Sequence, residues 1–185
     1  MDIADTQAAS SYPFPTTALR NWVIAFVVCN FNVDIGPEIE LVYPETNFTQ
    51  SDLSAICFNS FPDRQDGEVT DDLKFHFTLR NHSSLISGSD GSSIRKLDYF
   101  YGSCVFRQEA DILAKRNFGQ KTLVLVSHLD FPSLHLRILD LMTSTDFINN
   151  PDALEAACIQ ISAWKPPANG QLELPFFGSL LNVDM

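Results

Sequence analysis

Four histidines and four cysteines have the most chemistry to offer: His76, His82, His128 and His135, and Cys29, Cys57, Cys104 and Cys158. A metal site needs two or three ligands that converge. His76 falls on the polar side of an alternating segment, His82 lies in a serine-rich stretch, and His128 and His135 bracket a strand–helix junction. That spacing supplies no converging set. The cysteines are 28, 47 and 54 residues apart and form no C-x-x-C pair, which excludes the zinc-knuckle and thioredoxin patterns. Each sits in an apolar run, where a free thiol behaves as a small hydrophobe, so the pattern predicts inert core thiols. No P-loop, G-x-G-x-x-G, G-x-S-x-G or H-E-x-x-H occurs. The expectation is no catalytic residue, no cofactor and no metal, and a binding or scaffold surface in their place.

Two weaker signals have plainer readings. Tyr99-Phe100-Tyr101 could stack nucleic-acid bases. The chain carries 12 basic and 23 acidic residues, a formal net charge of −11, which repels phosphate backbones and makes core packing the better reading. Ser87, with Asp90 three residues on, gives the serine-rich stretch 83–93 a phosphorylation context.

The charge is unevenly spread. Residues 1–72 carry a net −10, residues 73–121 a net +4 and residues 122–185 a net −5. The basic middle could meet an acidic partner or anionic lipid. Its clusters, Arg95-Lys96 and Lys115-Arg116, flank one strand at opposite ends. A strand of eight to ten residues spans roughly 26–33 Å, so they form two small patches and not one.

The chain is 185 residues long, enough for one domain with its own core. Its longest apolar run, Trp22 to Cys29, is far short of the ~20 residues a membrane helix needs. The acidic start lacks a signal peptide's basic region, and the unpaired cysteines fit a reducing cytoplasm.

The elements follow from periodicity. Residues 1–20 read as a disordered tail. Trp22–Cys29 is apolar on both parities, as a strand buried on both faces must be. Asp34-Ile35-Gly36-Pro37 marks a turn, and Glu38–Tyr43 a return strand. Thr49 and Asp52 form a capping box for a helix whose Leu53, Ile56 and Cys57 make one stripe, stopped near Ser60-Phe61-Pro62. Leu73–Leu79 alternates as a half-buried strand. Tyr99–Phe106 and Thr122–Val126 follow, with residues 107–119 read as a long hairpin loop. One helix starts at Pro132. Another starts at Pro151 with Asn150 as its cap and faces Leu154, Ala157, Cys158, Ile161 and Trp164 inward. The order predicts an α+β layered domain over residues 21–165. Residues 166–185 read as an extended tail, apolar over 171–183, that either docks on this domain or would be covered by a continuation.

Taken in order, several segments resemble the N-terminal, longin-like (upstream DENN) module of DENN-domain proteins. They are FNVDIGPEIELVYP (31–44), LSAICFNSFPD (53–63), YFYGSCVFRQ (99–108), QKTLVLVS (120–127) and LEAACIQISAW (154–164). The tail LELPFFGSLLNV (172–183) resembles the stretch that leads into the central DENN region. The resemblance implies a longin-like three-layer domain: a five-stranded, mostly antiparallel sheet with one helix on one face and two on the other. It further implies one lobe of a guanine-nucleotide exchange factor for Rab-type small GTPases in membrane trafficking, cytoplasmic and recruited to endosomal membranes. The central and downstream lobes are absent, so the expectation is weak or no exchange alone. A stand-alone longin-type adaptor is the alternative. Candidate partner contacts are Leu53, Ser60, Phe61, Pro62 and Asp63, on helix 49–59 and its SFPD end; the plainer reading, and the preferred one, takes SFPD as only the stop of that helix.

Overall fold

The computed structural model describes residues 12–62, 71–81, 99–110, 118–143 and 152–184. A four-residue helical turn, α1 (Thr16–Leu19), leads into β1 (Ala25–Asn32) and β2 (Gly36–Tyr43). Then come α2 (Gln50–Asn59), β3 (Leu73–Arg80), β4 (Tyr99–Ala110), β5 (Phe118–Ser127), α3 (Pro132–Thr143) and α4 (Asp152–Ser162). A final pair, β6 (Gln171–Phe176) and β7 (Ser179–Asp184), ends the described chain.

The first five strands form one sheet in the order β2-β1-β5-β4-β3, every neighbouring pair antiparallel. This is the expected α+β architecture, compatible with a longin-like fold. β1 and β5 lie inside the sheet because both of their faces are apolar. Phe26, Val28, Leu123 and Leu125 point into a core shared with α3 and α4. Val27, Cys29, Val124 and Val126 point into a second core under α2. One helix therefore covers one face and two cover the other. Edge strand β3 alternates as expected, with Phe75, Phe77 and Leu79 packed on the α2 side.

The helices follow their sequence signals. At the start of α2, the Thr49 hydroxyl accepts from the Asp52 amide at 3.1 Å, and the Asp52 carboxylate accepts from the Thr49 amide at 3.0 Å. α3 buries Leu134, Ile138, Leu139 and Met142, and α4 buries Leu154, Ala157, Cys158 and Ile161. The expected cap of α4, Asn150 with Pro151, lies outside the described residues.

Four expectations need correction. Tyr12 to Arg20 is not a disordered tail. Phe14 and Leu19 are buried in the core, and the Tyr12 hydroxyl accepts from the Glu45 amide at 2.9 Å. Two apolar anchors suffice to fold this otherwise small and polar stretch. Trp22–Ile24 precedes the strand, which begins at Ala25. Trp22 instead donates its indole N–H to the Lys165 carbonyl at 2.9 Å and meets Trp164 edge-on at 5.6 Å. The hairpin loop is shorter than residues 107–119, because β4 runs to Ala110 and β5 starts at Phe118.

The last correction concerns residues 166–185, which are no extended tail. β6 and β7 pair through a two-residue turn at Phe177-Gly178 with φ of 44° and 75°. Positive φ at both turn residues matches the twist of a hairpin. Leu174, Phe176, Leu181 and Val183 face the α3–α4 core. The Trp164 indole donates to the Pro175 carbonyl at 2.8 Å, and Gln160 accepts from the Phe177 amide at 2.7 Å. Of the two alternatives for this segment, the structure has the docked one, with the inner side of the hairpin packed on the α3–α4 core.

Candidate functional site

The surface that stands out is the outer side of α2. Ile56 and Cys57 turn inward and are buried. Gln50, Ser51, Phe58 and Asn59 are exposed, and Leu53, Ser54 and Ala55 half-buried. The helix's one charged residue, Asp52, is only 2% exposed and is used up in the capping box. The outer side is thus short, uncharged and small, ending in Phe58 at 68% exposure. Phe58 thus stands as a large exposed aromatic at the end of a helix face that carries no exposed charge.

The end of α2 is pinned from below. The Ser60 hydroxyl donates to the Cys57 carbonyl at 2.7 Å, and the Thr122 hydroxyl of β5 donates to the Ser60 carbonyl at 2.8 Å. Phe61 meets Phe31 edge-on at 5.7 Å and Phe106 at 6.1 Å. Two residues beyond Phe31 the β1–β2 turn exposes Val33 and Ile35.

The five residues singled out by sequence divide here. Leu53, Phe61 and Pro62 are half-buried along the helix and its end. Ser60 is fully buried and anchors the helix to β5. Asp63 lies outside the described residues, as do Arg95, Lys96, Lys115, Arg116, Ser87 and Asp90. Phe58 lies within the candidate helix 49–59 but is not among the five residues named from the sequence. The apolar-stripe search looks inward and skips an aromatic on the polar side. The usable signal was the lack of any exposed charge on the whole helix.

Titratable groups in the interior are shifted by burial. His135 is 1% exposed and neither ring nitrogen has a partner among the described residues. Burial pushes it down to about 4. His128 is lowered for the same reason. Burial raises the thiols of Cys104 and Cys158, the latter to about 12 with help from Glu155. The neighbouring Cys57 thiol raises Cys29, with burial adding to the effect, and Cys29 in turn lowers Cys57. Among the described residues no three His, Cys, Asp or Glu side chains gather as metal ligands. No described helix is long and apolar enough to cross a membrane. A groove of about 940 Å³ runs between the end of α4 and the β6–β7 hairpin, away from α2.

Similarity to known proteins settles the lineage. The chain is 33% identical over 190 residues to Protein DENND6B of Homo sapiens, covering 96% of this chain and 32% of that protein. It is 33% identical over 175 residues to Protein DENND6A of Mus musculus, covering 88% and 29%. The chain belongs to the DENN family. A DENND6 homolog of Dictyostelium discoideum is 31% identical over 163 residues, covering 88% of this DENN-family chain and 22% of the relative. No family model matches. This DENN-family chain spans about a third or less of the length of the curated relatives it matches.

Proposed function

We propose that this DENN-family chain forms the longin-like lobe of a guanine-nucleotide exchange factor for a Rab-type GTPase in membrane trafficking. The observation that carries the reading is its likeness to DENND6 proteins along nearly its whole length. Exchange needs no bond chemistry. A surface that binds the nucleotide-free GTPase more tightly than the loaded one lowers the barrier to release.

The outer side of α2 suits that task. It offers a partner an anchor in Phe58 and no charge that must be desolvated without a mate. Leu53, Phe61 and Pro62 border it, Asp63 follows, and Ser60 supports it from beneath. Such a lobe holds only part of the GTPase, so the chain alone exchanges weakly. Contact with anionic endosomal membrane is a lesser element of the same reading.

The test is release of fluorescent GDP from a panel of Rab proteins. The chain is compared with a fusion that adds the remainder of a DENND6 protein. The fusion should accelerate release from at least one Rab, and Phe58→Asp should cut that rate about tenfold, as losing an interface anchor does. Strong exchange by the short chain refutes the lobe assignment, and no exchange by either protein refutes the function.

A further inference from the structure

β3 closes one side of the sheet. Among the described residues it pairs with β4 alone, in an unbroken register from Leu73 opposite Phe106 to Arg80 opposite Tyr99. Alternate residues of a strand turn their N–H and C=O groups to the same side, so half of these groups on β3 point away from β4. Natural sheets blunt such an edge with proline, a bulge or charge. β2, at the opposite edge, has Pro37 and a bulge that leaves Glu40 out of the register. β3 has neither proline nor bulge. Its one guard is charge.

That charge has a single sign. Lys74, His76 and Arg80 are the ionisable residues of β3, and all are basic. With Thr78 they stand exposed on the side of the sheet that carries α3, where Lys74 meets Asp140 of that helix. Phe75, Phe77 and Leu79 turn to the α2 side and stay half-buried, since no described strand lies beyond them to finish their cover.

The alternation dictates what fits. A strand laid along β3 must set acids opposite the bases and apolar side chains opposite Phe75, Phe77 and Leu79. A second copy of β3 would set base against base. We propose that the free edge of β3 is a docking site for an extended segment of a partner protein in which acidic and apolar residues alternate, added as a further strand of the sheet. The site is separate from the outer side of α2 and stands whether or not that side receives a GTPase.

The test titrates the full chain into a fluorescein-labelled peptide of alternating glutamate and valine and follows its anisotropy. The peptide should bind saturably, and a lysine–valine peptide should not. Two further probes carry N-methyl groups, one on the glutamate amides and one on the valine amides. One set of amides faces β3 and the other faces solvent, so one probe should bind normally and the other about tenfold or more weakly. His76→Glu combined with Arg80→Glu should weaken the unmodified peptide about tenfold, and Phe58→Asp should leave it unchanged. Should the double variant fail to fold, the N-methylated probes decide alone. No binding of the glutamate peptide, equal binding of the lysine peptide, or equal binding of the two N-methylated probes would each overturn the proposal. So would binding to phosphatidylserine vesicles without binding to the peptide, which would make the basic strand a lipid contact.

Discussion

The Phe77 ring lies over Gly102, its partner across β3 and β4, so closely that a Cβ on the glycine would collide with the ring. An aromatic laid over a strand glycine covers backbone that has no side chain of its own. Here it holds edge strand β3 to the sheet on the α2 side. Gly102→Ala should therefore cost about 1–3 kcal/mol in urea unfolding, the range for overpacking. Phe77→Leu should recover part of that loss, giving a clear coupling in a double-mutant cycle. Simple additivity would show that the contact carries no energy.

The capping box of α2 makes a second prediction. Thr49→Ala removes the acceptor for the Asp52 amide and should cost about 1 kcal/mol. Amide hydrogen exchange should quicken in the first turn of α2 and stay unchanged in α3.

His135 sets an acid limit. Its folded value of about 4 lies below the ordinary 6.5. The unfolded chain therefore binds the proton first. Stability from this group is full above about pH 6.5 and drains as pH falls toward 4. The loss should reach about 3 kcal/mol, at 1.36 kcal/mol per unit. His135→Phe should flatten the slope of urea-derived stability between pH 6.5 and 4. An unchanged slope would assign the acid sensitivity elsewhere.

Two ion pairs should behave differently. Arg107 holds Asp72 through two hydrogen bonds of 2.8 and 2.7 Å, with both side chains only about a fifth exposed. Asp72→Ala should cost about 1–2 kcal/mol, since a charge-assisted pair leaves a half-buried guanidinium behind. Lys121 and Glu40 are more exposed, and Glu40→Ala should cost well under 1 kcal/mol.

The sheet was legible because its strands announce themselves. β3 alternates strictly, and β1 and β5 are apolar on both parities, which only interior strands can be. The cap of α2 was legible down to the pair of residues. Long-range relationships were not. Phe14 and Leu19 fold the N-terminal segment by entering a core built from later elements. The Phe177-Gly178 turn lacks the usual Asn-Gly signal, so nothing local in the sequence marks the β6–β7 hairpin.

The central claim is that the outer side of α2 receives a GTPase. The most direct measurement is binding of the chain to immobilised Rab proteins, nucleotide-free and GTP-loaded, with Phe58→Asp and Ile159→Asp as variants. Ile159 is likewise exposed, but on α4 across the sheet. The account predicts binding to at least one nucleotide-free Rab that weakens about tenfold or more in Phe58→Asp and holds in Ile159→Asp. Binding that survives Phe58→Asp, or no preference for the nucleotide-free form, would contradict it.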